Sequence, residues 1–417
     1  MPENTSSLSV AAAADGRRAA AADSVMSANL VVLALSLLLG IQPVTTDLYL
    51  PALPAITAEF GASLAQAQLT LSAMLLAFGL SQLVWGPVSD RFGRRPVLLI
   101  GLAGYTVAAA ASAFAASMET LLVWRIIQGA AMGASVMCAR ALVRDLYTPE
   151  VGARVISKGL TGLGVIACLN LPIGGILAEV FGWRVTLLAP AVFAAGTLAL
   201  VALRFRETLS APNPHALAPA TLLRTWARIL RHPTFWAFTL LASASYAGLF
   251  TILAMSSFVF ITLMGLSKLG YGLLMVSMTG SYLAGTVLCR YLLLRLGVIR
   301  TVMVGGGLTA AGGTLLGVLA LAGAHTPMGL MPAIWLFAVG HGIHQACGQA
   351  GAVGPFPQAA GAASALSGFL MMLAAFGMGS GLGRVVDGTL FPMTNGVWLS
   401  GVATALVAWG LVRRVRL

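Results

Sequence analysis

Charge is what this chain lacks most. Only 9% of its 417 residues are Asp, Glu, Lys or Arg, against 59% hydrophobic. A soluble domain needs about 25% charged residues to cover its surface, so most of this surface must meet lipid. Acids are scarcer than bases, 12 against 24 Lys and Arg. The basic excess does not mark a nucleic-acid binder, because those residues sit in short connectors between apolar runs. Cysteine is scarce too. Cys138, Cys168, Cys289 and Cys347 lie inside apolar runs with no CxxC spacing, and read as small packing residues. There is no GxxxxGK[ST] loop, no HExxH and no Ser/His/Asp arrangement. ATP bound by this chain is thereby removed as an energy source, and nothing points to an enzyme, a metal site or a cofactor.

What is present is long apolar runs, with a mean hydropathy of +0.92. A helix crossing a bilayer needs roughly 20 apolar residues. Twelve runs qualify: 29–52, 67–88, 97–116, 119–142, 156–179, 184–204, 234–262, 270–293, 300–322, 328–350, 360–383 and 392–412. The chain is therefore read as an all-α integral membrane protein. Residues 1–28 are Ala- and Ser-rich and expected to be disordered, and the first run is an uncleaved helix, since further spans follow it. An even number of spans puts both termini on one side. Of the 24 Lys and Arg, 20 fall on that side, three (Arg184, Lys268 and Arg384) fall on the other, and Arg125 lies within a span. This bias makes the termini cytoplasmic.

The longest connector, 205–233, separates a six-helix bundle at 29–204 from a second at 234–412, with a short cytoplasmic tail at 413–417. Part of it, Leu222–Arg231, alternates apolar and basic faces at helical spacing, as suits a helix on the inner leaflet. The bundles look weakly repeated: Asp90-Arg-Phe-Gly-Arg-Arg95 follows the second span, and Arg295-Leu-Gly-Val-Ile-Arg300 follows the eighth. Two pseudo-symmetric halves around a central cavity are a common plan of secondary transporters.

Ionisable groups at membrane depth are costly and are functional candidates. Asp47 is the one carboxylate well inside a span. Gln42, Pro43, Tyr49 and Pro51 surround it, and the two prolines loosen the helix there. It reads as a proton-titrating group at a substrate cavity; an acid solvated near the outer mouth is the alternative. Arg125 lies ~9 Å into span four, at six residues of 1.5 Å, a depth at which it is expected to meet Asp47. Gln128 and Gly129 share its face, and Gly129-x-x-x-Gly133 permits close packing. His341, His344 and Gln345 share one face of span ten, where they either serve protons and substrate or satisfy each other structurally. Asn170, Tyr246, Phe369 and Met372 complete the candidate substrate residues. Pro172, Gly174 and Gly175 in span five read as a bend and a close packing site.

The hairpin Gly86-Pro-Val-Ser-Asp90-Arg91-Phe-Gly93-Arg94-Arg95 resembles a signature of the major facilitator superfamily. Arg125-x-x-Gln128-Gly129 resembles that superfamily's fourth-helix motif. Pro172-x-Gly174-Gly175 is similar to its antiporter motif, with Leu171 where Gly is usual. Within the superfamily, Thr46-Asp47-Leu-Tyr49-Leu-Pro51-Ala-Leu-Pro54, Val143-Arg144-Asp145-Leu-Tyr147 and Ala360-Gly-Ala-Ala-Ser364-Ala-Leu-Ser-Gly368 resemble the Bcr/CflA group of drug-resistance antiporters. Span ten departs from that group, with His341-Gly-Ile-His344-Gln345 in place of a Pro-Asn-like element. The resemblance implies the major facilitator fold and proton-driven export of small, mostly apolar drugs by a monomer in the bacterial inner membrane. The alternatives are an exporter of a sugar or amino-acid derivative, or a non-transporting receptor. It also implies a conformational latch of Gly86, Asp90, Arg91, Gly93, Arg94, Arg95 and Asp145. In that latch Asp90 pairs with Arg94 and with Asp145 and caps span eleven across the halves, which would stabilise an outward-open state.

Overall fold

A computed structural model describes residues 26–323 and 326–415. Most of the N-terminal stretch expected to be disordered, and the end of the expected cytoplasmic tail, lie outside the described residues. The membrane helices, in chain order, are α1 (Ala28–Asp47), α2 (Leu64–Phe92), α3 (Arg94–Ala113), α4 (Met118–Leu146), α5 (Pro149–Ile176) and α6 (Trp183–Arg204). The second set opens with α7 (Pro233–Ser257), followed by a helix Lys268–Leu321 of 54 residues. Gly297 breaks this helix with φ 71° and ψ 175°, a left-handed φ open mainly to glycine. Its arms are α8 (268–296) and α9 (298–321). Then come α10 (Pro327–Val353), α11 (Ala360–Val385) and α12 (Phe391–Gly410).

Ten helices among the described residues are long and apolar enough to cross a membrane, the 54-residue one counted once. Its two arms make eleven crossings. The twelfth is α10, whose 27 residues are long enough at 1.5 Å each although His341, His344, Gln345 and Gln349 make it more polar. Four helices that begin on the face poor in Lys and Arg start at a hydroxyl cap: Ser63 on α2, Ser117 on α4, Ser267 on α8 and Thr326 on α10. Each oxygen accepts a first-turn N–H that would otherwise face the bilayer boundary unpaired.

The first helical segment departs from expectation. It was expected to run to residue 52, with Pro43 and Pro51 only loosening it around Asp47. Instead α1 stops at Asp47, a 3-10 turn spans Leu50–Ala52, and a further helix runs Leu53–Glu59. Each proline sits in the first turn of the next piece, where its missing N–H costs nothing.

The halves meet along two seams of small residues. In the first, Gly79 of α2 faces Met372 and Phe369 of α11, Gly379 faces Ser72 and Gly383 faces Ala65. In the second, Gly175 of α5 lies on Lys268 and Leu269 and Gly272 of α8 on Leu171 and Pro172, while Gly174 beside it packs within the first half on the Leu48 backbone. A methyl group on Gly174, Gly175 or Gly272 would fall within 2.6 Å of a backbone oxygen, so the backbones touch directly, as helices in lipid do when small residues line the contact. Gly129 and Gly133 of α4 likewise press on Met74 and Ser81 of α2. Gly377 and Gly381 face open space. The linker helix Pro219–Leu230 buries Ile229 against the second half and leaves Leu223, Arg224 and Arg228 exposed.

Candidate functional site

Asp47 sits where α1 breaks. Its carboxylate accepts from the Thr46 hydroxyl at 2.8 Å and is partly exposed. Short helical pieces carry the span on to Glu59, so Asp47 lies deeper than a span ending at residue 52 would put it. Arg125 lies at the same level but does not meet it. The fully buried guanidinium donates to Gln128 Oε1 at 3.0 Å and to the Thr45 carbonyl at 3.3 Å, and stacks over Tyr49 at 4.3 Å. The expected Asp47–Arg125 pairing is therefore corrected, and the reason is helical phase. Thr45 and Tyr49 are four residues apart and share the face toward α4, whereas Asp47, two residues from each, points about 200° away. That face looks across to the second half, toward Tyr246 and Tyr271, and Tyr246 also faces Gln42. Tyr49 is turned from the interface altogether: its hydroxyl pairs with Thr70 at 2.7 Å. Asn170 is buried on α5, with its amide nitrogen unpaired.

The opposite wall comes from α7, α8 and α10. His341 packs between Tyr282 and Tyr246, with ring centroids 5.7 and 6.4 Å away. Ser245, which the sequence reading missed, lies between the two imidazoles, 2.9 Å from His341 Nδ1 and 3.3 Å from His344 Nδ1. Ser245 and Tyr246 are adjacent on α7 and both reach His341. Gln345 lines a cavity of about 10 Å³ with Ala242, Gln349, Ser367, Gly368 and Met371, close to the minimum for one water. Of the two methionines read as lining an apolar pocket, Met371 faces the cavity, whereas Met372 is shut against Gly79 of α2.

At the arginine-rich face, Arg94 is the hub. It bonds Asp90 at 2.7 Å, Asp145 at 2.9 Å and the Ser89 hydroxyl at 2.6 Å. Asp90 and Asp145 do not pair with each other, since two carboxylates repel; the guanidinium bridges them. Glu207, absent from the sequence reading, seats its carboxylate on the N-terminus of α3 and accepts from the backbone N–H of Arg94 (2.9 Å), Arg95 (3.0 Å), Thr208 (3.0 Å) and Leu209 (2.9 Å). Partial burial pushes its pKa up, and these four donors more than reverse that, so the carboxyl is held below its usual range. Gly93, at φ 100°, leaves the space: a methyl group there would meet Glu207 Oε2 at 2.5 Å. Arg91 reaches the Pro214 carbonyl and Arg95 the Ala202 carbonyl. All these contacts stay within the first half and its linker. Asp90 does not cap α11, whose first turn has no side-chain cap. The crossing is made instead by Arg140, which donates to Ser364 at 2.7 Å, and by Arg144, which approaches Gly361.

The opposite face is joined by a reciprocal exchange. Glu179, in the π-turn Leu177–Phe181 after α5, accepts the Leu269 N–H in the first turn of α8 at 2.9 Å. Lys268 in turn donates to the Ala178 carbonyl at 2.9 Å. An acid thus meets a helix N-terminus and a base a helix C-terminus, both favourable to the helix dipoles. The two halves are therefore in contact at both faces.

Comparison with known proteins places this geometry. The sequence is 28% identical over 325 residues to a chloramphenicol resistance protein of Pseudomonas aeruginosa, covering 77% of this chain and 75% of that one. It is 28% identical over 345 residues to multidrug resistance protein D of Escherichia coli (82% and 85% covered), and 28% over 252 residues to a bicyclomycin resistance protein homolog of Haemophilus influenzae (60% and 63%). In fold it is similar to the xylose transporter XylE of E. coli, with a TM-score of 0.73 at 14% identity over 93% of this chain and 98% of that one. The Major Facilitator Superfamily profile matches residues 35–380. Twelve membrane helices, their pairing in two sets of six and these matches together show that the chain belongs to the Major Facilitator Superfamily.

Proposed function

We propose that this protein is a secondary transporter that exports small, mostly apolar drugs in exchange for protons by alternating access. The observation that carries the reading is the placement of Asp47: a carboxylate at a break in α1, turned to the seam between the halves and free of any cation among the described residues. Such a group can hold a proton when the halves close over it and release it when water reaches it. The relatives named for resistance to chloramphenicol, bicyclomycin and multiple drugs support drugs as the cargo. The likeness to a xylose transporter carries the fold and no substrate. In this reading the arginine-rich face lies in the bacterial cytoplasm, following the charge bias, and the drug path opens when the two seams part in turn.

One carboxylate at depth implies one proton per cycle. Exchange of that proton for a neutral drug moves one charge, about 2.3 kcal/mol per 100 mV, and exchange for a monovalent cation is electroneutral. The test is transport by purified protein in sealed proteoliposomes under an imposed pH gradient. Asp47→Asn is expected to abolish gradient-driven efflux while the protein still inserts. Full gradient-driven activity in that variant would refute the role.

A further inference from the structure

The two buried histidines fix each other's tautomers. Neither has a charged hydrogen-bond partner among the described residues, and they are 2% and 0% exposed. A charge buried without a partner is costly, so both rings are neutral, each with one N–H and one lone pair. His344 Nε2 lies 3.3 Å from the Val302 carbonyl. A carbonyl only accepts, so this nitrogen carries the proton and His344 Nδ1 is the lone pair. The Ser245 hydroxyl has a single proton and must donate it there. Its oxygen then accepts from His341 Nδ1–H. The chain of donors therefore runs one way, from His341 through Ser245 and His344 to Val302. Gly305 leaves the room for it: a methyl group there would come within 2.7 Å of His344 Nε2.

What remains is His341 Nε2, a lone pair without a hydrogen-bond partner among the described residues. Its ring is flanked by Tyr282 and Tyr246, and Tyr246 faces Gln42 and Asp47 across the seam. We propose that His341 Nε2 is a fixed hydrogen-bond acceptor in the drug path, selecting neutral amphiphiles that carry an O–H or amide N–H donor beside an apolar or aromatic body. The inference rests on the reading of the seam as the path of a drug. Both tyrosine hydroxyls can donate or accept, so they tolerate either partner. The locked imidazole cannot, and a ligand with no donor leaves it unpaired, which is how a polar site rejects an analogue.

Two measurements on the full-length protein in lipid nanodiscs test this. The first is nitrogen-15 NMR of labelled histidine without ligand, with signals assigned by His341→Phe and His344→Phe. His341 is expected to be protonated at Nδ1 and His344 at Nε2, and Ser245→Ala is expected to release the His341 lock. A His341 ring protonated at Nε2 in the unaltered protein would overturn the proposal. The second is binding of chloramphenicol, its two O-methyl ethers and its N-methyl amide, each ether or amide lacking one donor. One of the three is expected to bind about threefold to tenfold more weakly than the parent, and the deficit should vanish in His341→Phe. Deficits of equal size in both proteins overturn the acceptor and leave the drug reading standing. If neither chloramphenicol nor ethidium binds, the drug reading falls and takes this proposal with it.

Discussion

Thr45 and Asp47 are two residues apart and serve different neighbours. Thr45 and Tyr49 hold Arg125, while Asp47 looks across the seam, so any coupling between the two charges passes through the shape of α1 and not through an ion pair. Arg125→Ala removes the partner of the Thr45 carbonyl and of the Tyr49 ring. It is expected to uncouple efflux from the pH gradient while the protein inserts normally, measured as drug efflux against proton flux in the same vesicles. Efflux unchanged in both respects would reduce Arg125 to scaffold. Which residues lie at membrane depth was legible in the sequence, because charge is rare there. Which way each faces was legible in principle, from the 100° step of the helix, but depth alone suggested a pairing that phase forbids. Ser245 was hidden for another reason: a hydroxyl in a membrane helix usually satisfies itself on its own backbone, and nothing local shows that this one serves two rings 96 and 99 residues away.

At the scale of elements, helix ends decide most of what was missed. The start of α3 depends on a carboxylate 113 residues downstream, a distance at which no local pattern operates. Glu207→Gln is expected to lower stability by ~1 kcal/mol, the usual worth of a capping group, read as a lower melting temperature in micelles. The pH dependence follows from the depressed pKa. The folded protein binds this proton less readily than the unfolded chain, so the stabilisation is fully present above the usual Glu value near ~4.3. It is lost as pH falls through the lower folded value. The unaltered protein should therefore lose more stability on acidification than Glu207→Gln does; equal losses would remove Glu207 from the account. Gly93→Ala should cost more than Glu207→Gln, because it strains a φ of 100° and also displaces the carboxylate. Pro51 was read as loosening the first span, and it and Pro54 each begin a shorter helical piece.

For the molecule as a whole, run length revealed the twelve crossings, since bilayer thickness sets it. The contacts that close the halves were not legible, because they join residues 90 and 224 positions apart. They suggest a rocking equilibrium held by opposing clasps. The double variant Glu179→Gln with Lys268→Ala removes the exchange at the face poor in Lys and Arg and should shift the population toward opening there. Arg140→Ala should shift it the other way. Spin-label distances across each face, in a protein with its native cysteines replaced, would report the shifts; no change in either variant would make the clasps incidental.

The two connectors that mirror each other are not equally held. The first is tied by Arg94 to two acids and capped by Glu207. Around the second, Arg295 stacks on Tyr291 at 4.4 Å, Gly297 turns the chain, and no ion pair closes it among the described residues. The first connector is thus braced and the second is not. Amide hydrogen exchange should then be faster across residues 293–300 than across 86–96, and a crosslink that stiffens the second connector should slow transport more than one added to the first.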